Sequence, residues 1–408
     1  MNFVTYRSAL LLPWLILACG GPAERDEAKA PSPYLYVWAG TGHDNTTGVD
    51  MIAVLDANPS SESYGAVLTA LTVDSGGRSP AYTESVAPAT GMLFVNDDRA
   101  DKAYLVDFSD PIFPRRGGRL AKVPGGRRLH AFARLANGHV VATVQFGDSM
   151  VSGSPGGLAE FDALGNFVRQ GWSRDSTFPG AKIRPSGLAV LPDIDRVVSA
   201  SSSLDDERSA DVVQVWRLSD LTLLKTLAIP EVRGDSAHVR PFAVSVVSDT
   251  SVLISSYNCG VYRVTGVAAE PGIERVLALP RPPNTGCAAP VAIGPFMILP
   301  VANAHRYAIL DIAEPAHATE AGSFVTEETF LPHWISVDSG TDRLVVTGQS
   351  AGLPIVRIAR FDSATGRLTW DERFRDTSAV LPGVSFDRPT WPNGVAGRAK
   401  PFGAVFVR

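Results

Sequence analysis

From Tyr34 onward the chain repeats one module, and the period of that repeat limits what it can fold into. Each copy opens with Pro or Leu and a variable residue. It continues as an alternating strand, turns tightly, and runs into a second, more apolar strand. Copies stand at 80–97 (PAYTESVAPATGMLFVND), 129–145 (LHAFARLANGHVVATVQ), 185–201 (PSGLAVLPDIDRVVSAS), 241–256 (PFAVSVVSDTSVLISS), 290–302 (PVAIGPFMILPVA) and 332–348 (PHWISVDSGTDRLVVTG). The variable residue falls at positions 81, 130, 186, 242, 291 and 333, with spacings of 49, 56, 56, 49 and 42. Periods of roughly 40–50 residues belong to propeller blades of four strands each.

A third strand, and usually a fourth, follows each pair, as in GGLAEFDALGNFVRQGW (156–172) and VVQVWRLSDLTLLKTLAIP (212–230). No stretch reads as a convincing amphipathic helix, and 37 Gly with 30 Pro supply many turns. The chain enters partway through a blade with YLYVWAG, and its last residues, WPNGVAGRAKPFGAVFVR (391–408), can supply the missing innermost strand. The expected fold is therefore all-β: a seven-bladed β-propeller over 34–408, closed by its N- and C-terminal strands so that no sheet edge stays open. Two sandwiches are the rival all-β reading, but the repeats run without a break.

Charge narrows the function. With 37 Lys+Arg against 42 Asp+Glu, the net charge is -5, which argues against nucleic acid as a partner. Charged residues at 19% and apolar residues at 45% exclude general disorder and permit a large core.

The N-terminus reads as an address. Residues 1–18 hold one basic residue, Arg7, and an apolar run from Ala9 to Ala18, which is too short to span a bilayer and suits a secretory signal. Ile16-Leu17-Ala18-Cys19 resembles a bacterial lipobox, with Cys19 as the lipidated first residue and a flexible tether to residue 33. The mature chain is expected in the cell envelope as a monomeric propeller, facing the periplasm or the exterior and touching the membrane only through its lipid. Gly20 after the Cys favours the outer membrane.

Blade topology sorts the chemistry by face. The lip residues 81, 130, 186, 242, 291, 333 and Asn393 are expected to ring one mouth of the central channel, with the longest polar loops beside them. His130 and His333 stand at strand starts and His43 and His305 in mouth loops, so imidazoles could gather into a metal site there. The alternative is that each serves as a structural hydrogen-bonding group. His139 and His317 read as surface residues of the opposite face, and His238 as a solvated linker residue. Cys259 and Cys287 fall on the mouth face of adjacent blades, and an oxidising compartment favours a disulfide over two free thiols. Asp97-Asp98 and Asp205-Asp206-Glu207 are mouth carboxylates that read as solvated acidic loops or a weak Ca²⁺ site. No nucleophile elbow or phosphate loop stands in a suitable setting.

The strings at 34–68, 129–172 and 331–348, and SFDRPTWPNGVAGRAKPFGAVF near the C-terminus, resemble the selenium-binding protein family, also called methanethiol oxidase. The resemblance implies a seven-bladed propeller and, in oxidase members, copper-dependent oxidation of methanethiol. It also implies a copper site of a His-His pair opening blade two, a His opening blade three, and a His after Trp-Pro near the C-terminus. Ala81-Tyr82 and Asn393 stand where three of those His are expected, and only His130 matches. His333 offers a second imidazole in blade seven. The expectation is a member that binds a ligand or protein partner at the mouth with a degenerate copper site. The alternatives are a copper-dependent oxidase of a small thiol with a rearranged His site and, less favoured because the lip lacks carboxylates although Glu84 is near, a Ca²⁺-centred lactonase.

Overall fold

The structure is a computed structural model that describes residues 29–42, 46–147, 154–203, 208–230, 238–280, 286–348, 352–376 and 381–408. The signal and lipobox segment with Cys19, the loop with His43, and Asp205-Asp206-Glu207 lie outside the described residues.

Seven antiparallel sheets form a ring, as the repeat predicts. Blade one is assembled from both chain ends: Lys400–Val407 is innermost, followed by Tyr34–Gly40, Gly48–Asp56 and Val67–Gly77. Tyr34 lies opposite Val407 and Tyr36 opposite Val405, so the first and last strands share one ladder. Blades two to six take four consecutive strands each, starting at Pro80, Arg127, Pro185, Pro241 and Val291. Blade seven starts at Pro332, and its outer edge is shared. Arg367–Trp370 pairs with residues 359–362, and Val384–Ser385 pairs with Ile355 and Val356.

The apolar second strands follow from this packing. Both faces of every sheet are covered by neighbouring blades, so alternate residues of one strand enter two different cores. In blade five, Ile254 joins Val198 and Val213 of blade four, while Leu253 joins Met297 and Leu299 of blade six. A strand buried on both faces reads as a continuous apolar run, and LFV, VVATV and VLI are such runs.

Closure is reinforced by a buried ion pair. Arg343 in blade seven is fully buried beside Asp338, and its Nη1 donates to Ala57 O (2.6 Å) and its Nη2 to Ser32 O (3.1 Å). Asp338 in turn accepts the Ser32 N–H at 2.9 Å and its hydroxyl at 2.6 Å. Residues 29–33, expected to belong to the tether, are thus docked on blade seven, with the Lys29 N–H bonded to Gly340 O. Burial of Ser32 between these charges explains the difference. Removing the guanidinium strands Asp338 in the interior, so Arg343→Ala should cost about 3–5 kcal/mol, read from chemical unfolding.

Candidate functional site

The innermost strands of blades two, three, four, five and seven start at the mouth with a distortion. Register breaks fall between Pro80 and Thr83, Leu129 and Phe132, Pro185 and Leu188, Pro241 and Ala243, and Pro332 and Trp334. Proline lacks the N–H that would continue the ladder, and a bulge re-aims the next side chain. Four of the residues that follow these break points, Ala81, His130, Phe242 and His333, line the cavity at the mouth. Polar residues on the neighbouring second strands hold the freed backbone. Asn96 accepts the Tyr82 N–H at 2.7 Å and donates to the carbonyls of Leu129 (2.5 Å) and His130 (3.1 Å). Gln145 bonds Pro185 O at 2.6 Å, and Thr347 bonds Phe402 O at 2.7 Å.

At the mouth lies a cavity of about 260 Å³ whose walls include Ala81, Tyr82, His130, Phe242, His333 and Phe402. Four of these, Ala81, His130, Phe242 and His333, are expected lip residues, and the seventh place in the ring belongs to Phe402 rather than Asn393. Asn393 sits outside the channel, where its amide donates to Thr69 Oγ1 (2.6 Å) and Ala70 O (3.3 Å) on the outermost strand of blade one. The Trp391-Pro392-Asn393 segment is a short turn docked on that strand, and the innermost strand begins only at Lys400. A larger cleft of about 440 Å³ opens on the opposite face near the chain ends, but its buried polar groups, Ser32 and Asp338, are bonded to each other.

His130 is 1% exposed, and its Nδ1 lies 3.1 Å from Ser186 O. A carbonyl only accepts, so Nδ1 carries the proton and Nε2 is left as a lone pair. That Nε2 is buried without a hydrogen-bond partner. The Tyr82 ring lies against the imidazole, tilted by 57° with 4.1 Å between centroids, and Phe242 meets it edge-on at 6.0 Å. His333, on the same cavity, also has an unpartnered buried nitrogen, Nδ1. Burial pushes the His333 pKa down to about 4, and His130 nearby adds to the shift. Burial lowers His130 as well. Both rings are neutral near pH 7, so the cavity offers ring nitrogens rather than imidazolium charge.

Among the described residues, no other His lines this cavity. His305 Nδ1 is 3.2 Å from Phe330 O, His238 pairs with Asp211 at 2.7 Å, and His139 pairs with Glu160 at 2.7 Å rather than standing free on the surface. The mouth carboxylates are engaged too. Asp97 accepts N–H groups of Arg78, Ser79 and Ala100, Asp98 is paired with Arg128, and Glu84 is held by Arg134. Among the described residues no group of three or more His, Cys, Asp or Glu is placed to hold a metal ion.

Cys259 and Cys287 form the expected disulfide, joining the turn of blade five to the strand leading into blade six. It clamps the wall of the cavity. The Cys287 N–H donates to Tyr257 O (3.0 Å), Tyr257 N–H donates to Arg240 O (2.9 Å), and the Arg240 guanidinium lies 4.4 Å over the Tyr257 ring. Sequence reading missed Arg240 and Tyr257. The only available signal was Arg240 immediately before the Pro241 that starts blade five. A Cys259→Ser/Cys287→Ser variant should lose about 2–4 kcal/mol of stability in urea unfolding.

Beside the mouth, Asp50 is fully buried, and neither of its oxygens has a hydrogen-bond donor. Gly77 allows this, because a Cβ there would sit 1.9 Å from the Asp50 carboxyl. Burial, with Asp97 close by, raises the Asp50 pKa from 3.8 to about 9. The folded chain therefore holds this proton where the unfolded chain has lost it, and the group's contribution to stability declines as pH rises through that interval. Asp50→Asn should flatten the decline, checked by comparing Tm at about pH 5 and about pH 8.

Neither a family model nor a curated protein matches this chain. Solved structures do. A hypothetical selenium-binding protein from Sulfolobus tokodaii superimposes with a TM-score of 0.71 at 14% identity, covering 92% of this chain and 93% of the other. A periplasmic gluconolactonase from Pseudomonas aeruginosa gives 0.62 at 13% identity, covering 92% and 99%. At these identities the likeness is one of fold: the chain is a seven-bladed β-propeller of the architecture those proteins share.

Proposed function

We propose that this protein is a ligand-binding propeller of the cell envelope, carried on a lipid at Cys19 and taking a small molecule into the cavity around His130. The carrying observation is the His130 Nε2 lone pair. It is fixed in that state by Ser186 O and, on a side chain that lines the cavity, is buried without a donor. Leaving a buried polar atom unpaired costs about 1–3 kcal/mol, and a bound hydroxyl, thiol or N–H would relieve that cost. Tyr82 and Phe242 supply apolar faces on either side of the imidazole. The resemblance to the selenium-binding protein family supports the same reading, with the His pattern of its copper site replaced by Ala81, Tyr82 and Asn393.

The second reading is a copper-dependent thiol oxidase. It is favoured by the carbonyl on His130 Nδ1, since metal-ligating imidazoles usually donate their other N–H in this way. Among the described residues the imidazoles at the cavity stop at His130 and His333, and its carboxylate, Asp98, is taken up by Arg128. Copper(II) prefers a tetragonal set of nitrogen and oxygen ligands, which two imidazoles do not fill, so no oxidase step is derived.

Two measurements on the detergent-solubilised mature chain separate these readings. A panel of small polar fragments, screened by saturation-transfer NMR, should give mutually competing hits that weaken at least ~10-fold in His130→Ala. Hits indifferent to that substitution, or no hits at all, would overturn the binding reading. Elemental analysis after copper loading and dialysis should find well under one copper per chain. A full equivalent lost in His130→Ala would instead support the oxidase.

A further inference from the structure

Among the described residues, the charges that line the cavity are unbalanced toward the positive. Asp98, Arg99 and Arg240 all line it. Asp98 is neutralised from beneath by Arg128, whose Nε lies 3.1 Å from Oδ1 while Nη2 contacts Oδ2. Asp211, the nearest acid to the Arg240 backbone, is taken up by the N–H groups of Val239 (3.0 Å) and Arg240 (2.8 Å) and by the His238 ring. His130 and His333 contribute no charge near neutral pH. Arg99 and Arg240 are therefore left facing a small polar cavity.

Arg240 is also built into place. Its backbone has φ +52, in the left-handed region that an arginine rarely adopts, and is pinned there by Asp211. Its guanidinium lies on the Tyr257 ring, and Nη2 donates to Ser203 O at 3.2 Å. The disulfide-braced turn holds Tyr257 in turn. A guanidinium fixed by stacking and one hydrogen bond keeps its other N–H groups for a planar anion, which it can grip in a fork.

We propose that the ligand is a small organic anion, a carboxylate that also carries a hydroxyl, with Arg240 and Arg99 taking the carboxylate and His130 Nε2 accepting the hydroxyl proton. This deepens the ligand-binding reading and rests on it. The acceptor at His130 requires a donor on the ligand, and the guanidiniums require a negative charge. A cavity of about 260 Å³ restricts both to a compact molecule.

The test is isothermal titration calorimetry of the mature chain with glycolate, lactate and malate, each set against its uncharged amide. At least one acid should bind about 10-fold or more tighter than its amide, and its affinity should fall with added salt, as a charge-driven contact requires. Arg240→Gln should abolish the preference for acid over amide, and Arg99→Gln should reduce it. Unfolding midpoints of both variants identify a folding defect, in which case the salt dependence of the unsubstituted chain decides. Amides that bind as well as the acids, with His130-dependent affinity, would overturn the anion assignment and leave the ligand-binding reading standing. Failure of both acids and amides to bind, alongside neutral fragment hits that depend on His130, would have the same consequence. Silence in both experiments would overturn the two together.

Discussion

The ladder between Lys400–Val407 and Tyr34–Gly40 is the interaction on which the ring depends. Without it blade one would lack its channel-lining strand, and the apolar faces of blades one, two and seven would be open. Arg343 and Asp338 add a buried clasp between blade seven and the segment before Tyr34. The clasp joins residues 306 and 311 positions apart, and the ladder joins strands farther apart still. The closing strand follows every other strand of the ring in the chain, so the ring cannot close before Lys400–Val407 has been made. Contacts of such long range form late because the loop entropy must first be overcome.

Closure also places the site. Seven innermost strands converge on one channel, and proline or leucine followed by a bulge turns the next side chain inward. His130 and His333 belong to blades three and seven, nearly across the ring, yet both border one cavity because the channel is narrow. The selection acts on chemistry as well. Ala, Tyr and Phe side chains make the apolar part of the throat, and two neutral imidazoles stand there beside the charged Asp98, Arg99 and Arg240.

Much of this was legible in the sequence, for a physical reason. Strands buried on both faces and punctuated by turns leave a periodic trace, so blade number, the lip positions up to His333 and the facing of the two cysteines could be read directly. Asn393 shows where that reading breaks. The Trp-Pro-Asn string attracts attention, but Pro401-Phe402 repeats the Pro-x start of the other blades and is the true seventh member. Arg240 and Asp50 were hidden for another reason. Their roles come from a left-handed backbone angle, a stacked ring and a buried carboxyl, none of which leaves a mark in residue spacing.

The disulfide has a meaning beyond its contribution to rigidity. Cys259 and Cys287 hold the turn that carries Tyr257, and Tyr257 is the shelf beneath Arg240. Thiols pair only where the surroundings oxidise them. The positive wall of the cavity is therefore finished by an oxidation and not by folding alone: a chain with both thiols reduced has its blades' sequence but not its braced arginine.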